Sequence, residues 1–482
     1  MTHEPRTASL SSPASAAVSS PGLVATALLC AVLMANVDAA VANIAAPAIH
    51  QSLHASGAML QLTVSAYVLA YAALLITGAR LGELFGLRRV FLIGIAGFTI
   101  ASLACGAAVD PQMLVVARLV QGAAAALAVP QVLAGIHRLP ESNRRTYVGA
   151  YVAVLSGSAV FGQAAGGLLI SADIAGAGWR SVFLVNVPIG IVSLVIAWRT
   201  LPRENGRRRA RLDLRGAAIL TLGLVSLTLP LILGRQLGWP WWVWWVLASS
   251  APLLALFVWS QRSTMRAARQ PLLNLGILRF RGVVPGLLSD SCAVACYFAL
   301  LFIVALYLQS GLGHSAASSG LMLVGWVAAF GISGLILRRF SESTVRRAAP
   351  WASMTMTLSF VIVVALAVTG HADGWPLFFA LTLGGFGLGA SNTALLTILT
   401  TAVRPAFAAD LSGLVNMNSQ IFNLIGVATI GTLYLALQDA GAHAAVPAFA
   451  VCVAALALIS TVSAIFGARA ARAVAAPSPS AG

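Results

Sequence analysis

The chain has 482 residues, of which 59% are hydrophobic and only 9% charged, against roughly 25% charged residues in a water-soluble protein. That shortage of polar surface excludes a soluble globular protein and leaves lipid as the solvent for much of the molecule. The formal charge is +16 and every basic residue is Arg, but these Arg residues sit in short loops between apolar stretches. They therefore mark membrane topology rather than a nucleic-acid surface.

Residues 1–22 are rich in Ser, Ala and Pro and read as a disordered tail. About fourteen apolar stretches follow, near 23–49, 58–80, 89–108, 113–135, 146–170, 181–199, 214–233, 241–260, 283–308, 317–337, 349–369, 376–401, 410–436 and 446–467. Each has the length of a membrane-spanning helix, about 20 residues. Helices are expected because lipid forces each segment to satisfy its own backbone, and the alternation of barrel strands is absent. The first stretch is too long for a signal-peptide core and carries Asp38. The chain after 468 reads as a second disordered tail.

Arg alternates between loops. Arg88 and Arg89 follow the second stretch; Arg138, Arg144 and Arg145 the fourth; Arg203, Arg207, Arg208, Arg209 and Arg211 the sixth. Arg262, Arg266 and Arg269 follow the eighth, and Arg338, Arg339, Arg346 and Arg347 the tenth. Arg180 and Arg235 stand on the other side. This asymmetry predicts cytoplasmic termini in a bacterial-type inner membrane. The run Trp239, Trp241, Trp242, Trp244 and Trp245 reads as an interfacial anchor. The expected layout is a six-helix bundle over 23–199, basic loops with an inserted helix pair over 200–282, and a second six-helix bundle over 283–468. Two such bundles suit alternating access.

Polar residues inside apolar stretches are costly and mark function. Asp38 lies in helix 1, about 22 Å from the cytoplasmic edge at a rise of about 1.5 Å per residue. A buried carboxylate either exchanges protons, accepts a cation or pairs with a donor on a neighbouring helix. Arg118 in helix 4 stays charged and needs a carboxylate, backbone carbonyls or water; it either tunes Asp38 or packs helices. Asp290 in helix 9 is either a second protonation site or a solvated vestibule residue. In helix 13, Asn416, Ser419, Gln420 and Asn423 make one polar stripe that suits a cavity wall or an interhelical bond. Gly162 and Gly166, with Gly167 adjacent, allow close helix packing in helix 5. Cys30, Cys105, Cys292, Cys296 and Cys452 all lie in apolar stretches, so neither disulfides nor a metal site are expected. His50, His54, His314, His371 and His443 fall near outer loops, His137 near an inner one and His3 in the tail, which gives no nucleophile–His pair for an enzyme. There is no phosphate-binding loop for ATP-driven transport.

Several strings carry a family resemblance. Val37-Asp38 with Asn43 and Pro47 is similar to L-D-x-T-x-x-N-x-A-L-P. The run Gly78-Ala79-Arg80-Leu81-Gly82-Glu83-Leu84-Phe85-Gly86-Leu87-Arg88-Arg89 resembles G-x-L-A-D-R-x-G-R-R, with Glu83 for the usual Asp. Arg118-x2-Gln121-Gly122 matches R-x-x-Q-G, and Trp179-Arg180-x2-Phe183-x2-Asn186-x-Pro188-x-Gly190 matches W-R-x-x-F-x-x-N-x-P-x-G. Together they resemble the major facilitator superfamily, in its fourteen-helix drug–proton antiporter branch. Two prolines of the branch's helix 5 motif are absent, at Ala159 and Gln163, and the Trp usual early in helix 2 is Leu62.

The resemblance implies an all-α membrane protein of two six-helix bundles plus two inserted helices. It implies a proton-coupled secondary transporter exporting amphipathic or cationic small molecules, acting as a monomer, with the proton gradient in place of any cofactor. Asp38, Arg118 and Asp290 are then the proton-coupling candidates. Asn43, Gln121, Gln163, Asn416, Ser419, Gln420 and Asn423 are the cavity candidates, and Gly78, Glu83, Gly86, Arg88 and Arg89 the conformational switch. A proton-linked importer or exporter of one metabolite, and a transport-inactive sensor or scaffold, are the alternatives.

Overall fold

The computed structural model describes residues 20–203, 213–234, 236–267, 271, 274–337, 339–404, 407–438 and 444–475. The expected N-terminal tail up to residue 19, the Arg-rich loop 204–212, and Arg235, Arg269, Arg338 and His443 lie outside them. Helices α1 (Pro21–Leu53), α2 (Gly57–Phe85), α3 (Leu87–Gly106), α4 (Pro111–Ile136), α5 (Glu141–Ala172) and α6 (Gly178–Thr200) form the first half. An added pair follows, α7 (Leu214–Leu233) and α8 (Trp241–Arg266). The second half comprises α9 (Val283–Gly311), α10 (Ala316–Leu337), α11 (Glu342–Val368), α12 (Gly374–Ala402), α13 (Ala408–Gln438) and α14 (Ala445–Ala475). Among the described residues thirteen of these are long and apolar enough to cross a membrane; α5 contributes a shorter apolar part, Val160–Ala172.

Helix starts follow local chemistry. Ser56, Asp110, Asp213 and Ser341 each accept a hydrogen bond from the first turn of the helix behind them. The Ser341 cap starts α11 at Glu342, a turn and more before the expected 349. The helix α14 runs to Ala475, past the expected boundary at 468, because 469–475 are Ala, Arg and Val. Ala and Arg favour helix, and Arg472 lies in the last turn where the dipole welcomes a cation.

Close helix approach comes from small residues. A Cβ at Gly122 of α4 would lie 2.1 Å from the Tyr67 carbonyl oxygen of α2, so only hydrogen fits. Gly162 and Gly166 pack on Val37, Ala40 and Val41 of α1. Gly167 instead faces the other half, where a Cβ would lie 2.5 Å from the Ala316 carbonyl of α10.

The two halves meet near the face opposite the chain termini. There Ser171 of α5 accepts from the Ala317 amide at 3.0 Å, and Gln309 of α9 donates to the Ile44 carbonyl of α1 at 3.1 Å. On the other flank Thr432 of α13 reaches Gln61 of α2 and the Leu231 carbonyl of α7, both at 3.0 Å. Thus α7 lies along the α2–α13 seam, with α8 packed outside it and Trp241 and Trp245 largely exposed.

A disulfide between Ser171→Cys and Ala317→Cys, with the five native cysteines replaced, should form readily in membranes and hold this seam shut. Substrate flux should then be lost on oxidation and return on reduction, as read by gel mobility and transport in the same cells; undiminished flux in the cross-linked protein would show that the seam does not open.

Candidate functional site

Asp38 sits halfway along α1, 1% exposed, at the centre of a polar cluster in an apolar bundle. The Arg118 Nη1 of α4 donates directly to Asp38 Oδ2 and also, at 2.7 Å, to Gln121 Oε1. Gln121 Nε2 donates to Asp38 Oδ1 at 2.8 Å and to Ser102 of α3 at 2.9 Å. Asn186, in the first turn of the main α6 segment, donates to the same Oδ1 at 3.1 Å. Arg118 Nε completes the set on the Thr63 carbonyl of α2 at 3.1 Å, and its guanidinium lies 4.5 Å from the Tyr67 ring centroid. Burying two charges is tolerable only when they pair and their remaining donors and acceptors are met, which is the arrangement here. The Gly122 contact brings α2 close enough for Thr63 and Tyr67 to reach the cation.

Next to this cluster, between the halves, lies a cavity of about 350 Å³. Its aromatic wall is Tyr67, Tyr71, Tyr297, Phe298 and Phe330. Tyr67 and Tyr71 lie parallel with centroids 6.2 Å apart, and Tyr297 meets Phe330 at 5.5 Å. Its polar groups are Asn36, Asn392, Ser419, Gln420 and Asn423, and no lining side chain is charged. Tyr67 belongs to both structures: its ring faces the cavity, its hydroxyl donates to the Ala35 carbonyl at 3.1 Å, and its face carries Arg118.

Asp290 lies in the other half, 2% exposed. It accepts from Asn418 Nδ2 at 3.0 Å and from the Ser419 hydroxyl at 3.4 Å, and Asn418 Oδ1 accepts from Ser291 at 2.9 Å. Among the described residues it has no ion-pair partner. Burial removes the expectation of a solvated vestibule residue. Ser419 joins Asp290 to the cavity wall.

The expected cavity set divides. Ser419, Gln420 and Asn423 line the cavity; Asn43, Gln121, Gln163 and Asn416 do not, a correction. Asn43 turns to the Ala39 carbonyl of its own helix and Gln163 of α5 donates to the Ala40 carbonyl of α1; both are buried. Gln121 serves Asp38 and Arg118, and Asn416, on the same helical face as 419, 420 and 423 but a turn nearer the start of α13, is exposed. The loop after α2 holds its own half together. Gln131 of α4 donates to the Gly78 carbonyl at 2.9 Å, Glu83 pairs with Arg80 at 3.3 Å, and Arg88 donates to the Trp198 carbonyl of α6. Gly86 turns there at φ 90°, where a side chain would be strained, and Arg89 is exposed. The aromatic wall has little signature in the sequence. The spacing of Tyr67 and Tyr71 by one helical turn was the signal available, whereas Tyr297, Phe330 and Asn392 come together only in three dimensions.

The Major Facilitator Superfamily model matches residues 28–427. A probable actinorhodin transporter of Streptomyces coelicolor is 33% identical over 87% of this chain and 73% of its own length. A cephamycin export protein of Amycolatopsis lactamdurans is 34% identical over 82% of this chain and 81% of its own. Among solved structures, a bacterial homologue of the human lysosomal transporter Spinster, inward-facing and unoccupied, superposes with a TM-score of 0.68 at 17% identity, covering 95% of this chain and 99% of that one.

Removing Arg118 should leave Asp38 buried and unpaired, so Arg118→Ala should destabilise the protein by about 3–5 kcal/mol. Pairing it with Asp38→Asn should restore much of that loss. Thermal unfolding of the single and double variants in detergent measures the difference, and equal losses in both would mean that the pair contributes nothing as a pair.

Proposed function

The chain belongs to the major facilitator superfamily, and we propose that it is a proton-coupled exporter of aromatic, amphipathic small molecules from a bacterial inner membrane. It is a transporter, not an enzyme. The observation that carries the substrate class is the cavity wall, which offers ring faces, amides and a hydroxyl and no fixed charge. Flat rings stack on such a wall and their polar substituents find hydrogen bonds. A cationic substrate gains less here than the helix 1 carboxylate suggested, because Asp38 is already taken by Arg118. The names of the matching relatives support outward transport.

The Arg distribution supports cytoplasmic termini. In that orientation the seam contacts close the outer face and the cavity serves the inner one. Protonation of Asp38 neutralises it and leaves Arg118 to Gln121, the Thr63 carbonyl and the Tyr67 face. Any shift of the guanidinium moves the ring that lines the cavity, so proton and substrate compete through Tyr67. Each ligand then moves the inward–outward balance by its differential affinity for the two states. Asp290 is the second proton carrier of this scheme, in the opposite half and joined to the wall through Ser419. All of these groups come from one chain, which suits a monomer.

The test is accumulation of a fluorescent aromatic dye in cells lacking their main efflux pumps. Wild type should hold dye below the empty-vector level, a protonophore should erase the difference, and Asp38→Asn should match empty vector at equal membrane abundance. Export by Asp38→Asn at the wild-type rate would remove Asp38 from coupling, and dye accumulation above the vector level would make the protein an importer. Tyr67→Ala and Tyr297→Ala should raise the apparent KM for the dye about three- to tenfold, the worth of one ring–ring contact.

A further inference from the structure

Outside the cavity, the face that carries the chain termini has two grooves that each combine Arg with a Trp. One lies between α11 and α14, the third and sixth helices of the second half, and measures about 460 Å³. Arg347 and Arg472 stand at its rim, and Trp351, Met354, Ala468 and Ala471 line it. The Ala pair gives it depth, and Trp351 and Met354, 73% and 49% exposed, form an apolar side wall. Arg347 follows Glu342 in α11, yet that acid reaches toward Arg346, at 3.9 Å. Among the described residues neither Arg347 nor Arg472 has an ion-pair or hydrogen-bond partner.

The other groove lies between α3 and α6, the third and sixth helices of the first half, and also measures about 460 Å³. Arg88, Arg199 and Arg203 surround it beside Trp198 and Leu201. Arg88 is engaged on the Trp198 carbonyl, and its buried Nε has no partner among the described residues. No carboxylate lines either groove. The same feature therefore occurs at the corresponding place in both halves, although the residues that build it differ.

We propose that each groove binds an anionic glycerophospholipid of the surrounding leaflet, one per half. Both grooves open at helix ends, where Trp and Arg sit at headgroup level. A phosphate between two unpaired guanidiniums accepts charge-assisted hydrogen bonds from both. In the α11–α14 groove an acyl chain then runs down past Trp351 and Met354 against the Ala pair. A zwitterionic lipid offers the same phosphate but brings its own cation to an already doubly positive rim, so the sites select net negative headgroups. Basic pockets between membrane helices hold such headgroups in this way. None of these four helices contributes a residue to the cavity wall, so the sites stand apart from the substrate.

Native mass spectrometry of the delipidated full-length protein tests the assignment, with phosphatidylglycerol, phosphatidylcholine of the same chains, and inorganic phosphate as probes. Wild type should retain two phosphatidylglycerol molecules at concentrations where phosphatidylcholine and phosphate leave it bare. Arg347→Gln/Arg472→Gln should lose one of them, with affinity down about tenfold or more at that site, and Arg199→Gln/Arg203→Gln should lose the other. The four side chains are exposed, and unfolding midpoints recorded alongside check that the variants fold. Arg347→Lys/Arg472→Lys keeps the charge and should keep most of the binding. Unchanged phosphatidylglycerol occupancy in the Gln variants, or equal binding of phosphatidylcholine, would overturn the proposal. Equal occupancy by phosphate alone would reduce the grooves to simple anion sites and overturn it as well.

Discussion

A charge inside a lipid-solvated bundle cannot be left without a partner, and that constraint organises the first half of this molecule. Asp38 and Arg118 solve it jointly, and the solution recruits backbone or side chain from α1, α2, α3, α4 and α6. Five helices are thereby fixed in relative height and rotation by one buried pair. The packing residues serve the same end: Gly122 admits the α2 backbone, and a Cβ at Gly190 would lie 2.0 Å from the Thr99 hydroxyl of α3, so α6 brings Asn186 close. A cluster this costly to break moves as a unit. Changes in its charge are then felt through its edges, of which Tyr67 is the one that meets the cavity.

Among the described residues the second half has no buried ion pair of this kind. Asp290 rests on amide and hydroxyl groups alone, and small hydroxyl contacts among Ser289, Ser353, Ser391 and Ser463 tie α9, α11, α12 and α14 together. Neutral hydrogen bonds cost less to rearrange than a buried ion pair. The two halves thus differ in what holds them together although they share a fold, and the cavity lies between a wall anchored by an ion pair and one anchored by neutral groups.

Much of this was legible in the sequence. Span positions came from apolar length alone, because lipid makes hydrophobicity and helix nearly synonymous, and the fourteen helices fall where expected to within a few residues at most ends. Asp38 and Arg118 announced themselves as charges where none is cheap. Their direct contact was less visible: depth along each helix could be counted, but rotation about the axis depends on packing. The same blindness explains Asn43, Gln121 and Gln163. A polar residue in a span does not say where its partner lies, and the amide nitrogens of these found theirs in neighbouring backbone or in Asp38 rather than in a cavity. Ser419, Gln420 and Asn423 are easier to read, because a stripe of several residues defines a face, which one residue cannot, and most of that stripe lines the cavity. The aromatic wall is faint for the opposite reason, since beyond the one-turn spacing of Tyr67 and Tyr71 its Tyr and Phe residues look like any other filling of an apolar helix.

The wall without a fixed charge carries a consequence for selectivity. Recognition by ring faces is nearly indifferent to what the ring is, and a pocket of apolar surface separates ligands that differ by one methylene by only about 10- to 200-fold. Tuning such a wall toward one compound therefore needs hydrogen bonds that a rival cannot return, and the amides of Asn36, Asn392, Gln420 and Asn423 are the positions that can supply them. Breadth is the default state of this cavity, and narrow substrate preference would have to evolve at four amides while the rings stayed as they are.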